Sequence, residues 1–269
     1  MDWPDLTQAE RDAAYNNAAA VADSAARIAA WAVASAELRA RRSEHLDIPY
    51  GPRPRNKWDL YPGKPAAPCL VFIHGGYWLR NSRETFACMA EGVLAHGWSA
   101  ALPGYTLAPD ATLTEIVAEI GAALDWFALH AREHGIGGPV ILSGWSAGGH
   151  LAALRLDHPV VSAGLAISGI FELGPLRDTT YNATLNLTQA EIETLSPMRL
   201  PVVSKPMMLV YGTAELPALA ANSRDYHALR IHAGAKGPLL PLAGHDHFSI
   251  LEELRQPDGA LTEAILAAT

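Results

Sequence analysis

The strongest constraint on what this chain can fold into lies between residues 140 and 156. An apolar run, Val140-Ile141-Leu142-Ser143, meets Gly144-Trp145-Ser146-Ala147-Gly148-Gly149-His150, and an alanine- and leucine-rich segment compatible with a helix follows at once. The order is strand, tight turn, helix. Small residues at both ends of a G-x-S-x-G turn let the backbone reverse sharply and present a serine hydroxyl, so Ser146 reads as a nucleophile on an elbow. The same five residues also occur in plain glycine-rich strand-to-helix loops. Catalysis therefore needs partners elsewhere in the chain.

The chain around this turn predicts an α/β architecture. From residue 69 onward, short apolar runs at 69–73, 98–102, 140–144, 164–168, 207–211 and 239–242 alternate with helix-length segments. Such alternation implies a parallel sheet covered by helices on both faces. Two short β-like pieces, 46–51 and 58–61, precede it across Gly51-Pro52-Arg53-Pro54 and suggest an antiparallel start to the sheet. Residues 1–45 read as a helical segment, with Ile28, Trp31 and Leu38 recurring near a 3.6 period from Val21 onward. Between 171 and 205 the alternation lapses, which predicts a cap-like insertion at the C-terminal edge of the sheet, where α/β folds keep their ligands. The expectation is one domain over 1–269.

Composition narrows the partners. A formal net charge of −8 argues against nucleic acid or an anionic membrane, which call for a concentrated basic face. The cluster Arg39, Arg41 and Arg42 reads as favourable charge at a helix C-terminus. No apolar run reaches membrane-spanning length, and Asp2 and Asp5 stand where a secretory leader would be basic, so a soluble, cytoplasmic protein is expected. Cys69 and Cys88 are too few for a disulfide framework and read as buried thiols, and the sequons at Asn182 and Asn186 then carry no glycan. No cofactor and no metal are implied. The expected partner is a small ester or amide, and a homodimer is left open.

Serine needs a base oriented by a carboxylate. In Leu242-Ala243-Gly244-His245-Asp246-His247-Phe248, after the last expected strand, His247 is the preferred base and His245 the reserve. Glu215, in Tyr211-Gly212-Thr213-Ala214-Glu215, follows another strand and falls between Ser146 and His247, as the chain order serine, acid, histidine requires; Asp178 and Asp225 are less well placed. Donors for a tetrahedral oxyanion are expected from the amides of Gly76, Tyr77 and Ala147, the first two in His74-Gly75-Gly76-Tyr77-Trp78. His74 reads as a brace of that loop.

Taken together, these motifs resemble the α/β-hydrolases, and within them the hormone-sensitive-lipase-like and kynurenine-formamidase-like esterases. The resemblance rests on His74-Gly75-Gly76-Tyr77-Trp78, on Gly144-Trp145-Ser146-Ala147-Gly148-Gly149-His150, on Ser196-Pro197 and on the loop 245–248. It implies a mostly parallel central sheet of about eight strands, helices on both faces and a small N-terminal helical cap. It also implies a serine hydrolase acting on a small carboxylic ester or an aryl formamide such as N-formylkynurenine. Trp145 stands where the branch commonly has histidine, and Glu215 where it more usually has aspartate. Trp31, Trp78 and Trp145 are candidates for an aromatic-lined substrate pocket.

Three rivals remain weighed against this reading. His130-Ala131-Arg132-Glu133-His134 matches H-x-x-E-H, but its helix precedes the elbow strand, so its C-terminal half is expected near the opposite end of the sheet from the elbow. A non-catalytic binding protein that keeps the fold would be marked by loss of a triad position, and all are filled. A carbon–carbon or epoxide hydrolase of the same fold would lack the double-glycine loop, and an epoxide hydrolase would carry an acid in place of Ser146.

Overall fold

A computed structural model describes residues 3–267 of the chain, so Asp2 lies outside the described residues. Eight strands make one sheet: β1 (Ile48–Pro49), β2 (Lys57–Tyr61), β3 (Cys69–Ile73), β4 (Ser99–Pro103), β5 (Val140–Trp145), β6 (Val161–Ile167), β7 (Met207–Gly212) and β8 (Leu239–Leu242). Their order is β1-β2-β4-β3-β5-β6-β7-β8. The pairs β1–β2 and β2–β4 are antiparallel and the other five pairs parallel. Parallel strands need crossovers, and the crossover helices cover both faces, which is why every residue of β3, β5 and β7 is buried.

The period of two along each strand divides the core into two layers. From β3, Cys69, Val71 and Ile73 join the layer beneath the helix Leu113–His130, whose start is capped reciprocally by Thr112 and Glu115. Leu70 and Phe72 enter the opposite layer with Trp31, Phe86 and Leu261. The connection after β3 runs to β4 on one side and the connection after β5 to β6 on the other. Ligand crevices open at such a reversal, and the β3–β5 register places Ile73 opposite Gly144 there.

Two expectations shift. β6 begins at Val161, ahead of the expected run 164–168, because its register to β5 slips between Val140 and Ile141, and the exposed Ser162 interrupts the apolar pattern at its start. The N-terminal segment is four pieces, Trp3–Asp5, Gln8–Tyr15, Asn17–Ala20 and Ser24–Arg41. Asn16 makes one break: its side chain accepts from Ala19 N–H (3.1 Å) and starts the next helix. The basic cluster does more than complement a helix end. Arg39 and Arg83 both pair with Asp59, a fully buried carboxylate on β2, and Arg41 pairs with Glu91 (3.1 Å). The Arg39–Asp59 pair fastens the helix Ser24–Arg41 to the sheet, and the Arg41–Glu91 pair fastens it to the helix Glu91–Ala95.

Between β6 and β7 the chain carries three short α-helices, Gly174–Arg177, Asn182–Leu185 and Gln189–Leu195, and a 3₁₀ turn, Pro197–Arg199. His150 Nε2, on the helix after the elbow, meets the Leu195 carbonyl at 2.7 Å, so this segment is tied directly to the elbow helix. No described helix is long and apolar enough to cross a membrane.

Candidate active site

The turn after β5 is a strained elbow. Ser146 has φ 56° and ψ −119°, outside the comfortable range of a residue with a side chain, and the helix Ala147–Leu154 starts directly after it. The strain persists because its surroundings leave no alternative. Ser146 N–H is tied to the Ile167 carbonyl (2.8 Å). A Cβ on Gly144 would lie 2.1 Å from the Gly148 carbonyl oxygen, and one on Gly148 would lie 2.0 Å from that of Ile73. Glycine is therefore required on both sides of the serine. The Ala147 amide is among the first N–H groups of the helix, which lack intrahelical acceptors.

His247 and Glu215 meet. His247 Nδ1 lies 3.1 Å from Glu215 Oε2, and both side chains are buried. The other carboxylate oxygen, Oε1, accepts from Ser168 Oγ (2.5 Å) and from Gly212 N–H (2.6 Å). Because a carboxylate only accepts, Nδ1 carries the proton and Nε2 keeps its lone pair. His247 is fixed from a second side: Trp145 Nε1 donates to its carbonyl (2.8 Å), and the two rings pack 5.0 Å apart. Asp246 Oδ1 accepts from the amides of Phe248 and Ser249, both at 2.8 Å, which locks the loop. His245 points elsewhere, with Nε2 3.5 Å from Glu253. Asp225 is exposed on the helix Pro217–His232, and Asp178 accepts from Trp3 Nε1.

The loop after β3 packs against this elbow. A Cβ on Gly75 would lie 2.6 Å from the Trp145 carbonyl oxygen. The Gly75 carbonyl accepts from Asn81 Nδ2 (3.1 Å) and His74 Nδ1 (2.9 Å). Carbonyl and N–H of a trans peptide point opposite ways, so holding this carbonyl turns the Gly76 N–H to the other side of the loop. Gly76 and Tyr77 both have positive φ, 116° and 54°. His74 stacks on Tyr105 at 4.4 Å, and burial pushes its pKa down to about 3, so it is a neutral brace. Tyr77 is anchored from the N-terminal segment: its hydroxyl donates to the Tyr15 carbonyl (2.5 Å) and accepts from Asn17 Nδ2 (3.3 Å).

Ser146 and His247 line one cavity of about 60 Å³, together with Gly76, Tyr77 and Trp145. Asn17, Ala18 and Ile28 line the same cavity, so the N-terminal segment contributes to enclosing the site. Of the three expected aromatic liners, Trp145 is there. Trp31 and Trp78 are not: both are fully buried, Trp31 donating to Glu252 Oε1 (2.6 Å) and Trp78 lying edge-on to His150 at 4.9 Å. Their bulk serves packing.

Comparison with known proteins follows the same geometry. A family model described as BD-FAE matches residues 59–156. The kynurenine formamidase of Danio rerio is 26% identical over 98% of this chain and 97% of its own length. A solved thioesterase candidate from Silicibacter sp. tm1040 is 30% identical, covers 96% of this chain and 99% of its own, and superposes with a TM-score of 0.82. This chain is an α/β-hydrolase. It is a serine hydrolase of the esterase and kynurenine-formamidase-like branch. Esterase B of Lactobacillus rhamnosis shares this hydrolase's fold at 19% identity, with a TM-score of 0.69 over 92% of this chain and 94% of that one.

Several groups of this hydrolase's site carry no local sequence signal. Asn17 and Ser168 act through contacts 60 and 47 residues away in sequence, and Asn81 holds Gly75 across six residues at no recognisable motif spacing. His150 is fully buried, with its pKa pushed down to about 4 by that burial. The H-x-x-E-H histidines sit apart from the elbow: His130 meets Glu133 at 3.3 Å, and His134 Nδ1 lies 3.2 Å from His45 Nδ1.

Proposed function

We propose that Ser146 is the nucleophile, His247 the general base and acid, Glu215 the orienting carboxylate, and the amides of Gly76, Tyr77 and Ala147 the oxyanion donors. Ser146 Oγ attacks the carbonyl carbon of a small ester or aryl formamide as its proton passes to His247 Nε2. Collapse of the tetrahedral intermediate breaks the bond to oxygen or nitrogen, and the leaving group takes that proton. Water, deprotonated by the same imidazole, then releases the acid. The observation that carries this reading is the 3.1 Å contact of Glu215 Oε2 with His247 Nδ1, whose ring lines the same cavity as Ser146.

The small cavity supports a small acyl group, since pockets that enclose drug-sized ligands run ~300–1,000 Å³. Asn17 favours the formamide. The Tyr77 hydroxyl has one proton and gives it to the Tyr15 carbonyl, so the Asn17 atom facing it is the amide nitrogen, and Asn17 Oδ1 is left buried without a donor. An N–H on the bound substrate supplies one. The kynurenine formamidase of Danio rerio supports the same choice. Location in the cytoplasm is our inference from two buried, unpaired cysteines. The test compares kcat/KM on p-nitrophenyl acetate and on N-formylkynurenine, each with Ser146→Ala as control. Loss of turnover in the variant on whichever substrate is hydrolysed is expected, and retained turnover would overturn the reading.

A further inference from the structure

The proposed reaction sets the bond that is cleaved and leaves the rest of the substrate open; one side chain at the cavity bears on it. Arg80 lines the cavity beside the oxyanion loop, and no aspartate or glutamate lines that cavity with it. Its backbone N–H donates to the Gly76 carbonyl (3.2 Å). Its stem runs along the same glycine, where a Cβ would lie 3.0 Å from Arg80 Cγ. The guanidinium carbon stands 6.0 Å from the centre of the Tyr181 ring, which in turn stacks on Tyr77 at 4.3 Å. A cation over an aromatic face is held without using its N–H donors. Arg80 forms no ion pair among the described residues, whereas Arg27, on the helix Ser24–Arg41, is paired with Asp23 at 2.9 Å.

We propose that Arg80 is a specificity-determining residue that selects substrates carrying an anionic group, such as a carboxylate, on the portion extending from the reacting carbonyl. On a chain of net charge −8, the surrounding field repels anions, so a guanidinium lining the cavity without an ion-pair partner among the described residues gives an anionic substrate a local attraction. The guanidinium fork matches a carboxylate in two parallel hydrogen bonds. Tyr181, from the segment between β6 and β7, sets its position. This inference rests on Ser146 acting as the nucleophile.

The test uses two esters of nearly equal shape, mono-p-nitrophenyl succinate and p-nitrophenyl butyrate, so that it does not depend on formamidase activity. The parent enzyme is expected to prefer the anionic ester in kcat/KM by about 10-fold or more, the scale of a hydrogen bond to a charged group. Arg80→Gln, which keeps the stem, should lower that ratio about 10- to 100-fold, with Arg80→Lys between them. Rising salt should lower the ratio in the parent enzyme and leave it level in Arg80→Gln, a response that a purely structural role would not produce. A ratio near one in the parent enzyme, or a ratio unmoved by Arg80→Gln, would overturn the proposal while Ser146 chemistry stands. Ser146→Ala run beside them separates the two failures: persisting hydrolysis there would bring down the catalytic reading and this inference with it.

Discussion

Replacing Glu215 by glutamine tests the hydrogen-bond order at the proposed triad at almost constant shape. Glu215 Oε1 accepts from Ser168 Oγ and Gly212 N–H, while Oε2 faces His247 Nδ1. A glutamine has one oxygen, and two donors compete to keep it at the Oε1 position. Its NH₂ group is then forced toward His247, where only an acceptor can meet it. The imidazole responds by moving its proton to Nε2, and the nitrogen that should take the serine proton no longer has a lone pair. The corresponding change in a Ser-His-Asp template costs about 10⁴-fold in kcat, which corresponds to about 5.5 kcal/mol of barrier. The same loss is expected here on p-nitrophenyl acetate, with KM changed far less and the far-ultraviolet circular dichroism retained. Glu215→Asp, which keeps the acceptor and shortens its reach, should retain more activity than Glu215→Gln. A Glu215→Gln enzyme within about 10-fold of the parent would refute the assignment of Glu215 as the orienting acid.

Three further outcomes follow from the geometry. Gly148→Ala places a methyl 2.0 Å from the Ile73 carbonyl oxygen, backbone that cannot move aside, and an overpacking cost of about 3 kcal/mol should lower Tm by roughly 6–12 °C in a thermal melt. Asn81→Ala leaves the Gly75 carbonyl held by His74 alone and, at about 1.4 kcal/mol for the lost hydrogen bond, should lower kcat about 10-fold with little change in KM. His74 and His150 are buried with pKa values depressed to about 3 and about 4. The unfolded chain therefore takes up protons below about 6.5 that the native protein refuses, so their contribution is intact above that pH and is lost as pH falls toward 4 and then 3. Urea midpoints measured from neutral to acid pH should fall across this window, and a flat profile would contradict the burial of neutral imidazoles.

What the sequence disclosed and what it hid divide along the range of the interactions. The centre of the sheet was readable because β3, β5 and β7 are local apolar runs, and the elbow because Gly144 and Gly148 answer a local steric demand. His247 and Glu215 could be found because both lie just past strand ends, where topology alone brings them to one edge. Asn17 and Asn81 were invisible because neither holds its partner at a characteristic spacing: Asn17 reaches Tyr77 across 60 residues of chain. Trp31 and Trp78 were misplaced for a related reason. Aromatic residues near a motif look the same in sequence whether they line a cavity or fill the core, and Trp31 is committed to packing against Trp145 and Phe248. Asp59 shows the same limit among charges, since its pairs with Arg39 and Arg83 join a strand, a helix and a later turn.

The most direct measurement of the central claim is covalent capture of the nucleophile. A fluorophosphonate reacts with a serine made nucleophilic by a neighbouring base and leaves a stable phosphonyl mass on its oxygen. Peptide mapping of the labelled protein should place that mass on Ser146 alone, with labelling abolished in Ser146→Ala and strongly slowed in His247→Ala. A label carried by another residue, or undiminished labelling of Ser146→Ala, would contradict the account.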